Sequence, residues 1–208
     1  MRKMMLVLAV LLLGAAPAWA ADPPPPAAAA PPREAIQHFY DGLLATMKSA
    51  KQLGFKGRFT ALAPLVDSTF DMPEMTRLSL GYTAKSLSAA QLATLTEVFR
   101  RYTIASYAAN FDGYGGERFD VGQPRPGQNG AVVVPSVLVP GDKSDPVQLD
   151  YVMHEFAGRW GITDVLAEGA VSEVARRRSE FVSVLRHDGF DGLVKAIERK
   201  TVSLGSKG

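Results

Sequence analysis

Apolar residues recur along this chain at two periods, and the change of period divides it. From about Arg33, Ile36, Phe39, Tyr40, Leu43, Leu44 and Met47 fall on one stripe at i, i+3, i+4, i+7 spacing, which predicts an amphipathic helix. Phe59, Leu62, Val66 and Phe70 mark a second, shorter helix, with Pro64 in its first turn or at a kink. Asp71 followed by Glu74 is a helix-start signal, with Pro73 tolerated in the first turn. That helix carries Met75 and Leu78 and should stop at Gly81. Ser88 and Gln91 form another capping box, opening a long helix through Leu92, Leu95, Phe99, Tyr102 and Ser106 to about Asn110.

Beyond this point the period drops to two. Phe119 and Val121 alternate within Glu117 to Val121, and Ala131 to Val139 is apolar and β-branched between Asn129-Gly130 and Pro140-Gly141. Val147, Leu149, Tyr151 and Met153 alternate with polar neighbours. Arg159 to Leu166 places Trp160, Ile162 and Asp164 on one side, after a turn at Ala157-Gly158. These segments predict a four-stranded twisted antiparallel meander. Two helices close the chain: one from Ser172 through Val174, Phe181 and Leu185 to Gly189, and one capped by Asp191 and carrying Leu193, Val194 and Ile197. Helices, then a sheet, then helices is an α+β arrangement.

The first twenty residues have a different character. Arg2 and Lys3 precede an apolar run from Met4 to Ala16 and a small-residue site, Ala18-Trp19-Ala20. That is the three-part form of a secretory signal peptide, expected over 1–20 with cleavage after Ala20. The run is shorter than the ~20 residues needed to span a bilayer. Residues 21–32 are almost entirely Pro and Ala, a composition that favours an extended chain of about 30–35 Å and builds no core. The expected organisation is then a single domain over 33–203 and a flexible tail at 204–208.

Composition narrows the chemistry. With no cysteine there is no thiol nucleophile and no cysteine-held metal. The 23 Lys and Arg stand against 21 Asp and Glu, and loss of Arg2 and Lys3 leaves 21 against 21. A neutral mature chain gives no electrostatic support for nucleic-acid binding. No nucleophile elbow, zinc-protease motif or phosphate loop is present. His38, His154 and His187 are far apart in sequence, and His154 and Glu155 point to opposite faces of a strand, so neither pattern predicts a metal site. Gly113-Tyr114-Gly115-Gly116 follows a helix and precedes a strand, the wrong order for a phosphate cradle. Arg176, Arg177 and Arg178 are successive helical residues about 100° apart, so they cannot all converge on one ligand. Asp164, in an otherwise apolar strand, needs a partner if buried, and Arg178 is the candidate for an ion pair. The rival role for Asp164 is a general base, with Tyr151 and His154 beside it in an enzyme acting on an apolar substrate. The positive signal is the mass of large apolar side chains, which fits either a solid core, as in a structural adaptor, or a hollow one.

The joint order of several short strings is more specific. Phe39-Tyr40 is followed by Phe70-Asp71 with Met75 and Gly81, then by Phe99 and Tyr107-Ala108-Ala109-Asn110-Phe111-Asp112-Gly113-Tyr114. Leu149-Asp150-Tyr151, Gly158-Arg159-Trp160-Gly161-Ile162-Thr163-Asp164-Val165 and Arg178-Ser179-Glu180-Phe181 complete the series. This order, from about Arg33 to Lys200, resembles the MlaC / toluene-tolerance auxiliary family of periplasmic lipid-binding proteins. The stretch from Tyr107 to Phe119, with Ser172-Glu173 and Arg177 to Phe181, is most similar to its hopanoid-associated HpnM branch. The resemblance implies a periplasmic carrier with no catalytic residue, metal or cofactor. It would hold a lipid (a hopanoid or a phospholipid) in an apolar cavity between sheet and helices. It would pass that lipid between inner and outer membranes together with a membrane-bound ABC-transporter complex. Phe39, Leu43, Phe70, Met75, Phe99, Tyr102, Val134, Leu149 and Tyr151 are the residues expected to line the cavity.

Overall fold

A computed structural model describes residues 30–156 and 158–206. The expected signal peptide and nearly all of the Pro/Ala segment lie outside the described residues. Helix α1 (Pro32–Lys48) buries Ile36, Phe39, Tyr40, Leu43 and Met47, the stripe that its period predicts. Helix α2 (Ala50–Thr69) begins well before Phe59 and is longer than expected. Pro64 lies deep inside it rather than in its first turn; the helical dihedrals break instead at Gly54, at φ +58° and ψ −179°.

Helix α3 (Met72–Leu80) starts where the Asp71 side chain accepts from the Glu74 N–H, and it ends at Gly81. A 3₁₀ turn (Gly81–Ser86) not legible in the sequence leads to α4 (Ala89–Asn110). The Ser88–Gln91 capping box forms in both directions, at 3.2 Å and 2.9 Å. Two donors otherwise lost at the helix start are thereby satisfied.

The sheet is antiparallel throughout. Its order is β1 (Arg118–Val121), β3 (Val132–Val139), β4 (Val147–Phe156), β5 (Arg159–Ala167) and β6 (Val171–Ser172), with β2 (Arg125–Pro126) also on β3. The four expected strands are present; β2 and β6, two residues each, extend the sheet to six. Both additions have a structural task. β2 brings Arg125 to 2.7 Å from Asp150, a carboxylate fully removed from water whose other side-chain donor, Gln148 Nε2 at 3.0 Å, carries no charge. β6 delivers the chain to the start of the last helix. Phe156 pairs with Arg159 across the expected hairpin, and the register places Leu149 opposite Ala167 and Tyr151 opposite Val165. A β-bulge between Val152 and Met153 re-aims the strand beyond them.

The final element, α5 (Glu173–Gly205), is interrupted at Gly189, at φ +69° and ψ −171°. This backbone region is essentially restricted to glycine. The interruption is a reversal, because Lys200 contacts Glu180 although 20 residues separate them. In a straight helix that separation would be about 30 Å. The division near Gly189 read from the pattern is thus real. Asp191 makes no capping bond among the described residues, and the positive φ at Gly189 alone makes the turn. Leu204 and Gly205, expected in a flexible tail, belong instead to the last helical turn. Among the described residues, no helix is long and apolar enough to cross a membrane.

Candidate functional site

Between the helices and the concave sheet lies an open cavity of about 440 Å³. This is within the range of about 300–1,000 Å³ typical of small-molecule sites. One wall is a single face of α4: Phe99, Tyr102, Thr103, Ser106, Tyr107, Asn110 and Phe111. Their spacing of three and four residues is what keeps them on that face. Leu149 and Tyr151 from β4, with their partners Ala167 and Val165 from β5, form the sheet wall. Phe70 and Met75, either side of the α2–α3 junction, close one end. Glu173, Val174, Arg176 and Arg177 from the start of α5, and Leu204 from its return leg, complete the rim.

Six of the nine residues expected to line a cavity are on its wall: Phe70, Met75, Phe99, Tyr102, Leu149 and Tyr151. Phe39, Leu43 and Val134 are not. All three are fully buried in the closed core behind the wall. Phe39 meets Phe70 and Tyr107 edge-to-face, with ring centroids 5.4 and 5.3 Å apart, so it supports the wall without reaching the void. Tyr107 and Phe111 continue the Phe99–Tyr102 stripe and could have been added from its period. Val165 and Ala167 depend on strand register, and Leu204 depends on the reversal at Gly189; a one-dimensional pattern carries neither.

The cavity floor is held by a hydroxyl cluster. Tyr40 Oη lies 2.7 Å from Ser136 Oγ and donates to Tyr151 Oη at 2.8 Å. Ser136 Oγ in turn donates to the Leu149 carbonyl at 2.6 Å. Burial pushes the Tyr40 phenol up to about 12, with the bonds to Ser136 and Tyr151 pulling weakly the other way. Burial likewise raises Tyr107 and Tyr151; Tyr40 and Tyr107 reinforce the rise at Tyr151, whereas at Tyr107 the nearby Tyr40 adds to it and the bond to Tyr151 opposes it. These phenols therefore stay neutral at any ordinary pH, and the floor presents no charge to an apolar guest.

Charge is confined to the rim. Arg177 stacks its guanidinium over the Tyr102 ring, 4.7 Å from its centroid, and pairs with Glu180 at 3.4 Å. Arg176 binds Glu173 at 2.7 Å, a bond that pushes its pKa further up. Arg178 turns away and donates to the Leu78 carbonyl at 2.8 Å. Arg178 thus parts from Arg176 and Arg177, so the three do not share one ligand, as their 100° spacing requires.

The expected Asp164–Arg178 ion pair does not form. Asp164 accepts instead from the N–H groups of Val165 and Val174, at 2.8 and 3.0 Å, and from Ser172 Oγ at 2.5 Å. Its partner is the start of α5, where exposed N–H groups and the helix dipole favour a carboxylate. His154 Nδ1 pairs with Thr163 Oγ1 at 3.1 Å. Asp164, His154 and Tyr151 thus serve three separate partners and do not converge. Among the described residues, no cluster of His, Asp and Glu could hold a metal ion.

The fold is that of a phospholipid-binding protein from Ralstonia solanacearum, whose structure was determined in complex with a phospholipid at 1.53 Å. The two superpose with a TM-score of 0.72 over 84% of this chain and 99% of that one, at 19% sequence identity. Sequence comparison with curated proteins finds no match. The family model described as MlaC protein matches residues 37–199. That span runs from the first turns of α1 into the return leg of α5, and the chain belongs to the MlaC family.

Proposed function

We propose that this protein is a lipid carrier rather than an enzyme. In this reading it takes the apolar part of a lipid into the cavity between α4, α5 and the sheet, and moves that lipid through water between two membranes. The observation that carries the reading is the cavity itself: mostly apolar on its helix and sheet walls, where Thr103, Ser106 and Asn110 are polar but uncharged, neutral at its floor, and charged only at its rim. Each methylene exposed to water costs about 0.8 kcal/mol, so shielding the tails is the main physical task of a carrier. A cavity of this kind performs it without a nucleophile or a metal. Membership of the MlaC family and the phospholipid held by the Ralstonia solanacearum protein support the same reading.

The finer proposals follow from the sequence. The segment over 1–20 exports the chain and is cleaved after Ala20, releasing a diffusible periplasmic protein. Its cargo is a phospholipid or a hopanoid, shuttled between a membrane-bound ABC-transporter complex at the inner membrane and the outer membrane. Organic extraction and mass spectrometry of protein purified from its native host test the reading. A stoichiometric lipid is expected. Repeated absence of any lipid, together with no uptake from liposomes, would overturn it.

A further inference from the structure

The cavity rim holds an arrangement that the apolar walls do not account for. Glu173 Oε2 accepts from Arg176 at both Nη2 (2.7 Å) and Nε (3.2 Å), and the same oxygen lies 3.7 Å from Arg177 Nη2. One carboxylate oxygen therefore sits between two guanidinium groups. Two guanidiniums facing one anionic oxygen is the arrangement by which arginines hold phosphate. Both arginines line the cavity, and so does the carboxylate.

The two guanidiniums are held differently. The Arg177 side chain is only 12% exposed; Tyr102 beneath it and Glu180 beside it fix its plane. The Arg176 side chain is 58% exposed, and Glu173 is its ionic partner. Glu180 is shared between Arg177, at 3.4 Å, and Lys200, so from that side one carboxylate faces two cations and only partly offsets the arginine pair. Phe99 and Leu149 line the same cavity as the two arginines, so the apolar wall and the guanidinium pair face one space.

We propose that Arg176 and Arg177 form a receptor for the phosphodiester of an anionic lipid headgroup, and that Glu173 is an internal competitor which the phosphodiester displaces. This rests on the lipid-carrier reading and adds the headgroup class to it. Displacement is cheap for Glu173, because at the first position of α5 it remains beside the positive end of the helix after releasing Arg176. A neutral polycyclic lipid would fill the same walls but leave Glu173 where it is.

The test is a competition. The mature protein is incubated with equimolar phosphatidylglycerol and diacylglycerol of identical chains in non-ionic detergent micelles, then re-purified and extracted, and the bound ratio is read by mass spectrometry. The expected result is enrichment of phosphatidylglycerol by about fivefold, the upper range for a partly exposed charge pair. Arg176→Gln, at an exposed position and verified as folded by its thermal transition, should bring the ratio near unity. Glu173→Gln should raise it. Equal uptake by the wild type, or a ratio unmoved by Arg176→Gln, overturns the proposal while leaving the carrier reading standing. Uptake of neither lipid overturns both. A further arm adds inorganic phosphate: the ratio should hold. Its collapse would mean that the arginines serve free phosphate and not a headgroup.

Discussion

Replacing Phe39 by leucine separates support of the cavity wall from contact with its contents. Phe39 is fully buried and packs edge-to-face on Phe70 and Tyr107, with interplanar angles of 73° and 85°. Each such pair contributes about 0.5–1.5 kcal/mol beyond area burial, so the two together are worth about 1–3 kcal/mol. Leucine keeps the site apolar, but it is smaller than the ring it replaces, so a cavity cost adds to this loss. For a domain of this size each kcal/mol moves the midpoint by about 2–4 °C, so the two ring pairs alone predict a fall of about 2–12 °C. Calorimetry measures that fall. Lipid occupancy per folded molecule, measured by extraction at a temperature well below both midpoints, should stay unchanged. Phe99→Leu is the comparison, since Phe99 lines the cavity while also packing edge-to-face on Phe181 at 5.3 Å; there both midpoint and occupancy should fall. The reasoning is refuted if Phe39→Leu lowers occupancy with the midpoint untouched, because Phe39 would then be touching lipid.

Three further outcomes follow. Gly189→Ala should destabilise by about 1–3 kcal/mol in thermal or urea unfolding, purely through backbone strain, because an added Cβ meets no neighbour there. A neutral result would mean that the reversal does not need its positive φ. Tyr40 is raised from 10 to about 12 in the folded state, so above pH 10 the unfolded chain binds fewer protons than the folded one. Stability is therefore complete below pH 10 and falls by about 3 kcal/mol as pH rises to 12, at about 1.4 kcal/mol per unit. Urea midpoints across that interval test the sign, and a flat profile would contradict it. Finally, a double-mutant cycle between Asp164→Asn and Arg178→Gln should show coupling no larger than the ~0.3–0.5 kcal/mol scatter of independent sites. A coupling above 1 kcal/mol would restore the ion pair that the geometry denies.

What could be read from the sequence follows the reach of each signal. Local ones transferred intact: the Asp71–Glu74 start of α3, the reciprocal Ser88–Gln91 box and the division at Gly189 all involve residues a few positions apart. Periodicity reached further but answered a coarser question. It identifies the inward face of α1 and of α4 without showing where solid packing ends and the void begins, so Phe39 and Leu43 read the same way as Phe70 and Phe99. Val134 failed for the related reason that both a wall and a core of a sheet read as apolar alternation. Partner choice was least visible. Asp164 needed compensation, as burial demands, but a helix start ten residues away supplied it in place of a guanidinium. β2 and β6 are too short to carry any period, and only pairing reveals them.

The reversal at Gly189 also bears on the order in which the molecule is finished. It brings Leu204 back to a rim whose earliest contributor in the chain is Phe70. Polypeptides emerge N-terminal end first, and contacts between distant positions carry the greatest loop-closure cost. The helices around Phe39 and the Ser88 start can form from local contacts, whereas this chamber needs nearly the whole domain before its last wall exists. Completion of the fold and completion of the cavity thus coincide: a partly made domain offers an apolar trough, and only the finished one has every wall of the open cavity in place.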